Sequence, residues 1–428
     1  MKAFIYTLGC KVNQYESQEL ISLLKNNGYT ISANKHNCDI YIVNSCTVTA
    51  ESSRKTRQAL RKFKSQSAEN IVILTGCFPQ AFPDDAKNIP EADIILGNNT
   101  NHKLIDHLTD FLADKKRIID VVPHTISEKY SSKSIDTFDG HTRAFIKIQD
   151  GCNRYCSYCI IPKARGFSRS RPLDDIKTEL AALAKLGYKE IVFVGINLSS
   201  YGKDNGTTIC DALQLAEETA GIERFRLGSL EPDHITDEVI EKLSGMKKFC
   251  PQFHLSLQSG CNKTLKRMNR HYTAEEYFDL CTKLKKAFSD ISLTTDIIVG
   301  FPGESDSDFE ETVAFARKCG FMKVHVFPFS PREGTPAHNY NDQILNSVKA
   351  FRCSKLQQEC DSLREQFMNM LIGKTVDVLF ETPKDNNQHG YTRNYTPVTI
   401  KHSCDLTGQI LPVVITDVSG DFCIGELA

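Results

Sequence analysis

Asp150 to Gly166 reads DGCNRYCSYCIIPKARG, and within it Cys152, Cys156 and Cys159 stand in a C-x₃-C-x₂-C array. No fourth Cys or His follows at ligand spacing. A closed zinc site needs four protein ligands. An iron–sulfur cluster held by three thiolates leaves one iron open to a substrate or cofactor, whereas ferredoxin-type runs supply a fourth cysteine nearby. The apolar run Ala144 to Ile148 leads straight into the array, which puts the three thiols at the end of a strand. A zinc knuckle, or buried free thiols, is the alternative reading of the same residues.

Working outward, the chain from Ala144 to about Pro336 carries six strand-like runs, AFIKI, EIVFVG, RFRLGSL, FHLSL, SLTTDIIVG and KVHVFPF. Helical segments separate them, among them Leu173 to Leu186, Thr273 to Phe288 and Ser305 to Cys319, each apolar at i, i+3, i+4. This alternation predicts a partial β/α barrel of about six units, placed at 144–340. In such barrels the site lies at the strand carboxyl ends. The cysteine array follows the first strand, and Asn197, Glu231, Gln258 and Asp296 with Gly300 and Gly303 follow later ones, although each could be a turn residue or helix cap.

Residues 1–122 also alternate strands and amphipathic helices, which predicts a mostly parallel α/β sheet. Three of its strands end alike: AFIYTLGC on Cys10, DIYIVNSC on Cys46 and NIVILTGC on Cys77. The carboxyl edge of an open α/β sheet is where ligands bind. One such cysteine would be a buried hydrophobe by default; three at equivalent strand ends read as a second three-thiolate site. The helix Glu51 to Lys64 carries Arg54, Arg57, Arg61 and Lys64 on one face and Ala59, Leu60 and Phe63 on the other. That basic face is either solvated or turned to RNA, and its place directly after Cys46 favours RNA.

The segment 123–143, rich in Ser, Lys and Asp, reads as a linker. Residues 341–372 read as a long charged helical connector without a strict heptad. From Gly373 the runs TVDVLFE, TPVTIK, QILPVVITDV and FCIGEL predict a small antiparallel OB-like barrel at 373–428, a module that commonly binds oligonucleotides. A net charge of -1 excludes a generally basic nucleic-acid binder, so an RNA site must be a local patch. No apolar run of membrane-spanning length and no secretory signal is present, which predicts a cytoplasmic protein without a membrane partner. The sixteen cysteines then read as reduced thiols. Ten of them, Cys38, Cys210, Cys250, Cys261, Cys281, Cys319, Cys353, Cys360, Cys404 and Cys423, lack motif context and read as packing residues.

The whole chain resembles the radical S-adenosylmethionine (SAM) methylthiotransferases, which join an N-terminal three-cysteine domain, a radical SAM barrel and a C-terminal TRAM domain. TLGCKVNQYES, NSCTVTAESSRKTRQ, LTGCFPQ and DGCNRYCSYCIIPKARG are similar to the branch acting on N6-threonylcarbamoyladenosine at tRNA position 37. Sister branches act on N6-isopentenyladenosine in tRNA or on an aspartate of a ribosomal protein. The resemblance implies two 4Fe-4S clusters, one held by Cys152, Cys156 and Cys159 with SAM on its open iron, and an auxiliary one held by Cys10, Cys46 and Cys77. Two SAM molecules would be used per turnover.

It further implies that Gly195, Asn197, Ser229, Glu231 and Gln258 contact SAM, with the backbone near Val299 and Phe329 at its adenine. The partners implied are tRNA, through its anticodon loop and A37, and an electron donor such as a flavodoxin or ferredoxin. Lys374, Lys384, Arg393 and Lys401 would supply charge on the C-terminal barrel. The carboxylate of a threonylcarbamoyl group calls for a cation, and Lys11, Arg54 and Arg165 lie in the right motifs; an arginine is preferred because it grips a carboxylate bidentately. Two readings of other classes stand beside this one: a radical SAM enzyme of another reaction type, and a non-enzymatic iron–sulfur protein that binds RNA.

Overall fold

The computed structural model describes residues 1–131, 135, 141–384 and 387–428. Its N-terminal part is a six-stranded parallel sheet in the order Thr30–Ile31, Lys2–Thr7, Ile40–Ser45, Ile71–Gly76, Ile94–Leu96, Ile118–Asp120. Its two central strands, IYIVNS and IVILTG, are buried along their whole length, as parallel strands covered on both faces must be. Ile40 and Ile42 pack with Leu20, Leu24 and Leu108 of the helices Lys11–Asn26 and Leu104–Asp114. Tyr41 and Val43, pointing the opposite way, pack with Ala59, Leu60 and Phe63 of the helix Ala50–Lys64. The strand order reverses between Lys2–Thr7 and Ile40–Ser45. That switch point opens a crevice at the carboxyl edge.

The second part is the expected partial barrel. Ala144–Lys147, Glu190–Val194, Arg224–Leu227, Gln252–Leu255, Ser292–Val299 and Lys323–Pro328 run parallel, and the third strand continues past Gly228 as Ser229–Leu230. The first and last strands do not pair, so one side is open. The helix Lys11–Asn26 lies against that edge and adds Val12 and Tyr15 to the barrel's core. The long helix Asn346–Asn369 buries Leu356 and Cys360 in the same core and Met368 in that of the last domain.

The C-terminal part is a closed five-stranded barrel, one strand more than the apolar runs predict. The extra strand, Asn387–Thr392 (NQHGYT), buries Gln388, Gly390 and Thr392 instead of apolar residues. Four of its strand pairs are antiparallel, as expected of an OB-like barrel, and one, Pro397–Lys401 with Phe422–Leu427, is parallel. This barrel docks on the amino ends of the large barrel's strands: Arg393 donates to the carbonyls of Lys247 and Phe249, and Arg224 to that of Asp377. Cys404 is exposed on its surface, so it is not a packing residue. The expected linker lies partly outside the described residues; within it His124 bonds Glu128 and Ile135 is buried in the large core. No described helix is long and apolar enough to cross a membrane.

Candidate active site

Two of the three N-terminal cysteines follow a glycine held at positive φ, and Gly76 shows why. At φ 93° its absent Cβ would lie 2.5 Å from the Asn44 side chain and from the Ser45 carbonyl, so only glycine lets the chain turn there into Cys77. Cys10 caps the helix Lys11–Asn26 and Cys77 begins the short helix Cys77–Ala81. Asn13, one helical turn past Cys10, donates to the carbonyls of Leu8 (2.9 Å) and Ser45 (3.0 Å), tying the Cys10 and Cys46 loops together. Ser45 Oγ accepts from the Phe78 N–H (3.2 Å) and so holds the third loop. Gly9 completes the convergence, since a Cβ there would touch Cys46 Cβ at 3.0 Å.

Cys152, Cys156 and Cys159 sit on a loop whose entrance needs Gly151. At φ 72° a Cβ would overlap the Phe167 carbonyl. The loop is pinned by Ser157, whose N–H donates to the Met268 carbonyl (3.0 Å) and whose hydroxyl donates to that of Arg267 (2.8 Å). Arg270 donates to Cys156 Sγ at 3.2 Å, and Asn197 Nδ2 to Cys152 Sγ at 3.7 Å. Nothing in the sequence around Arg270 signals this contact, which spans 114 residues.

Burial raises the thiols. Cys77 is pushed up to about 12 against the pull of Arg165, Cys152 to about 11, and Cys10 and Cys159 also upward. Such sulfurs become thiolates when a cation binds them. Among the described residues, the donor groups gathered within 4.8 Å of one another are His254, Asp296, His325 and Cys261, Asp308, Glu311. Neither cysteine trio is drawn so tight. A single tetrahedral zinc ion with bonds of about 2.3 Å would require that closeness, whereas several irons span wider sulfurs.

A cavity of about 730 Å³ lies where the three domains meet. Cys10, Lys11 and Val12 form one wall, and Tyr391, Tyr395, Pro397 and Phe422 of the small barrel another. The lumen of the large barrel supplies Gly195, Ser229, Gln252, His254, Asp296 and His325. Two residues beyond Gly195 is Asn197, the residue that bonds Cys152. Of the six cysteines only Cys10 lines this cavity, and the Cys152 loop adjoins it through Asn197.

Known proteins are similar to this chain over most of its length. Residues 146–316 match the model of the Radical SAM superfamily, and residues 2–97 that of Uncharacterized protein family UPF0004. The threonylcarbamoyladenosine tRNA methylthiotransferase MtaB of Bacillus subtilis is 37% identical over 96% of this chain and 92% of that protein. Its counterpart in Thermotoga maritima is 38% identical over 88% and 86%. The chain belongs to the radical SAM methylthiotransferases. A tRNA-2-methylthio-N(6)-dimethylallyladenosine synthase of Clostridium botulinum is 35% identical over 99% and 96%, so both tRNA branches of the family lie within reach. Among solved structures, the radical SAM methyltransferase TsrM from Kitasatospora setae shares the fold, with TM-score 0.57, 14% identity and 79% of this chain covered against 77% of that one.

In this methylthiotransferase the residues expected at SAM divide into three groups. Gly195 and Ser229 line the cavity. Asn197, Glu231 and Gln258 lie at the barrel mouth, Gln258 at φ 69° and Glu231 held by Arg270 and, at 3.5 Å, by Arg154. Asn197 Oδ1 is buried without a hydrogen-bond partner, an acceptor that a ligand with N–H groups would satisfy. Val299 and Phe329 are buried and bonded to each other, the Phe329 N–H to the Val299 carbonyl at 2.9 Å, and they do not line the cavity.

The cations expected at RNA are mostly engaged. Arg54 is forked onto Glu51, Arg57 pairs with Asp85 (2.8 Å), Arg61 with Glu91 (3.4 Å) and Lys64 with Asp93 (3.0 Å). Arg393 docks the small barrel, while Lys374, Lys384 and Lys401 are exposed. Arg165 is wholly buried: it forks onto Glu16, donates to Asn13 (3.0 Å) and reaches Cys77 Sγ with Nε at 3.2 Å. Lys11 differs from all of these. It lines the cavity, is reached by water there though protein surrounds it, and has no acidic ion-pair partner among the described residues; burial and the charges of Arg143 and Arg226 lower its ammonium to about 8.

Proposed function

We propose that this enzyme methylthiolates C2 of N6-threonylcarbamoyladenosine at position 37 of tRNA. The observation that supports the reading is the cavity lined by both Cys10 and Gly195, with Asn197, two residues past Gly195, bonded to Cys152. On this reading a sulfur-bearing site and a SAM-activating site would serve one base. The MtaB relatives, alike over nearly the whole chain, support the threonylcarbamoyl branch.

Cys152, Cys156 and Cys159 would hold one 4Fe-4S cluster, and Cys10, Cys46 and Cys77 a second. When bound, these clusters and SAM, two molecules per turnover, supply the radical and sulfur chemistry that an unreactive C–H bond of adenine requires. The chain's own residues do the positioning. Gly195, Asn197, Ser229, Glu231 and Gln258 would orient SAM, with the peptide backbone near Val299 and Phe329 at its adenine. Asn13, Ser45 and Arg165 fix the auxiliary trio, and Arg270 and Asn197 stabilise charge on Cys156 and Cys152 through their hydrogen bonds. Tyr391 and Tyr395 stack on each other with Arg226 over Tyr395, so they form a rigid aromatic wall of the cavity.

On this reading 1–122 is the auxiliary-cluster domain, 144–340 the SAM domain, 341–372 a connector and 373–428 the RNA-binding domain. The anticodon loop would lie across the first and last of these, with Lys374, Lys384 and Lys401 at its phosphates. The enzyme works in the cytoplasm with a flavodoxin or ferredoxin as electron donor. Nucleoside mass spectrometry of tRNA from cells lacking the chain tests this: the 2-methylthio derivative of N6-threonylcarbamoyladenosine should vanish while its precursor accumulates. Loss of the methylthio derivative of N6-isopentenyladenosine instead would assign the sister reaction.

A further inference from the structure

We infer that Lys11 is the residue that reads the substrate's carboxylate and thereby sets which modified adenosine enters. The inference rests on the threonylcarbamoyl reading and deepens it. A threonylcarbamoyl arm ends in a carboxylate, whereas an isopentenyl arm is wholly apolar and needs only apolar walls. The cavity beside Cys10 is not of the apolar kind. Its lining includes Lys11, Lys323, Arg364, His254, His325, Asp296 and Asp421.

Charge in that cavity is unbalanced toward positive. Arg364 and Asp421 pair with each other, and Asp296 stands 3.4 Å from His254. Behind the wall Arg143 is bound to Glu381 and Arg226 to Glu190. Two ammonium groups, Lys11 and Lys323, then remain without an acid among the described residues. Lys323 lies at the start of its strand and also borders the groove under the helix Asn346–Asn369, so it faces outward as well. Lys11 alone adjoins an auxiliary-site cysteine. Lys11 is exposed to the cavity, so its ammonium is open to an anion carried in by a ligand.

Position makes that anion a carboxylate on the base being modified. Lys11 follows Cys10 directly, so any group it holds lies within one lysine side chain of the auxiliary trio, where C2 must also come. An N–H of the ureido arm can close a hydrogen-bonded ring on N1 of the adenine, which turns the threonyl carboxylate toward the N1–C2 edge. Cation and reacting carbon are then addressed by adjacent residues. Arg165 and Arg54, the arginines of the same motifs, already hold Glu16 and Glu51. A phosphate of the RNA backbone is the other anion of similar chemistry, and the two sources are separable.

The test is equilibrium binding of synthetic anticodon stem-loops to the full chain carrying its clusters. Four loops are used, with position 37 as adenosine, N6-threonylcarbamoyladenosine, its methyl ester and N6-isopentenyladenosine. The expected result is that Lys11→Met weakens the threonylcarbamoyl loop at least 10-fold, leaves the plain adenosine loop unchanged, and that Lys11→Arg retains part of the preference. The methyl ester should bind the unaltered protein at least 10-fold more weakly than the acid does, a comparison that needs no variant to fold. Equal weakening of all four loops would assign Lys11 to a phosphate and overturn the inference. So would an undiminished preference in Lys11→Met, or its loss in Lys323→Met alone. If the unaltered protein favours the isopentenyl loop, the substrate reading itself fails, and the assignment of Lys11 with it.

Discussion

Arg165 belongs to the loop of one cysteine trio yet donates to a sulfur of the other. It closes the short helix Ile161–Arg165 just past Cys159, and its guanidinium is shared among Cys77 Sγ, Asn13 and Glu16. Glu16 is also bound by Lys147 at 2.8 Å, and Lys147 by Asp150 at 2.6 Å, so the ion pairs form a buried chain between the two sites. Removing one partner of a buried pair costs about 3–5 kcal/mol, because the other charge is left unpaired. Arg165→Met should therefore lower the thermal unfolding midpoint by many degrees, and adding Glu16→Gln should restore part of it. A midpoint unchanged in the single variant would show that Lys147 suffices for Glu16. The motif TLGCKVNQYES contains Asn13 and Glu16, but their roles become visible only in the fold. Their partner lies 149 residues from Glu16.

The helix Ala50–Lys64 shows what periodicity leaves out. Its apolar face packs as expected, but the acids that take up its cations, Asp85, Glu91 and Asp93, come from later segments that only the fold brings near. A phosphate would have to displace a carboxylate at each position. Replacing Arg54, Arg57, Arg61 and Lys64 with Gln should thus change the slope of log affinity against log salt by less than about 3, the value that four free phosphate contacts would give. A larger drop would restore the helix as a primary RNA surface. The strand Asn387–Thr392 escaped for a related reason: its buried residues are Gln, Gly and Thr, so closure of the small barrel, not apolar content, makes it a strand. The six large-barrel strands were legible because burial on both sides demands unbroken apolar runs. Where the two barrels meet, Glu190 is held by Arg226 at 2.7 Å with Arg143 and Arg224 close by. Burial raises its pKa, but these three arginines outweigh it and the net shift is downward. A depressed carboxylate stabilises the fold above its unfolded value of about 4.3 and loses that contribution as pH falls through the lower folded value. Glu190→Gln should accordingly destabilise most at neutral pH, with the gap to the unaltered protein closing on acidification below about pH 4. A gap independent of pH would mean that shape, not charge, sets the junction.

The molecule separates what it must hold from what it must bring together. One trio is assembled from three strand ends of a single sheet and the other from one loop of the barrel, so the cysteines of each come from its own domain, although Arg165 of the barrel loop donates to Cys77 Sγ. The start of the helix Lys11–Asn26, at the open side of the large barrel, and the small barrel supply walls of the cavity beside Cys10. The cysteines were legible because each trio repeats a local pattern; the cavity was not, since its walls come from three segments whose contacts appear only on folding. Independent construction implies independent loading. Anaerobic reconstitution should give about eight irons per chain, and replacement of either trio by Ala should leave about four. Cys10→Ala, Cys46→Ala, Cys77→Ala should still cleave SAM but transfer no methylthio group, while Cys152→Ala, Cys156→Ala, Cys159→Ala should lose SAM cleavage and keep the other iron set. Loss of all iron on removing one trio would show that the buried chain through Arg165 makes the two sites a single folding unit. Methylthio transfer by the first variant would show that Cys10, Cys46 and Cys77 do not carry the sulfur.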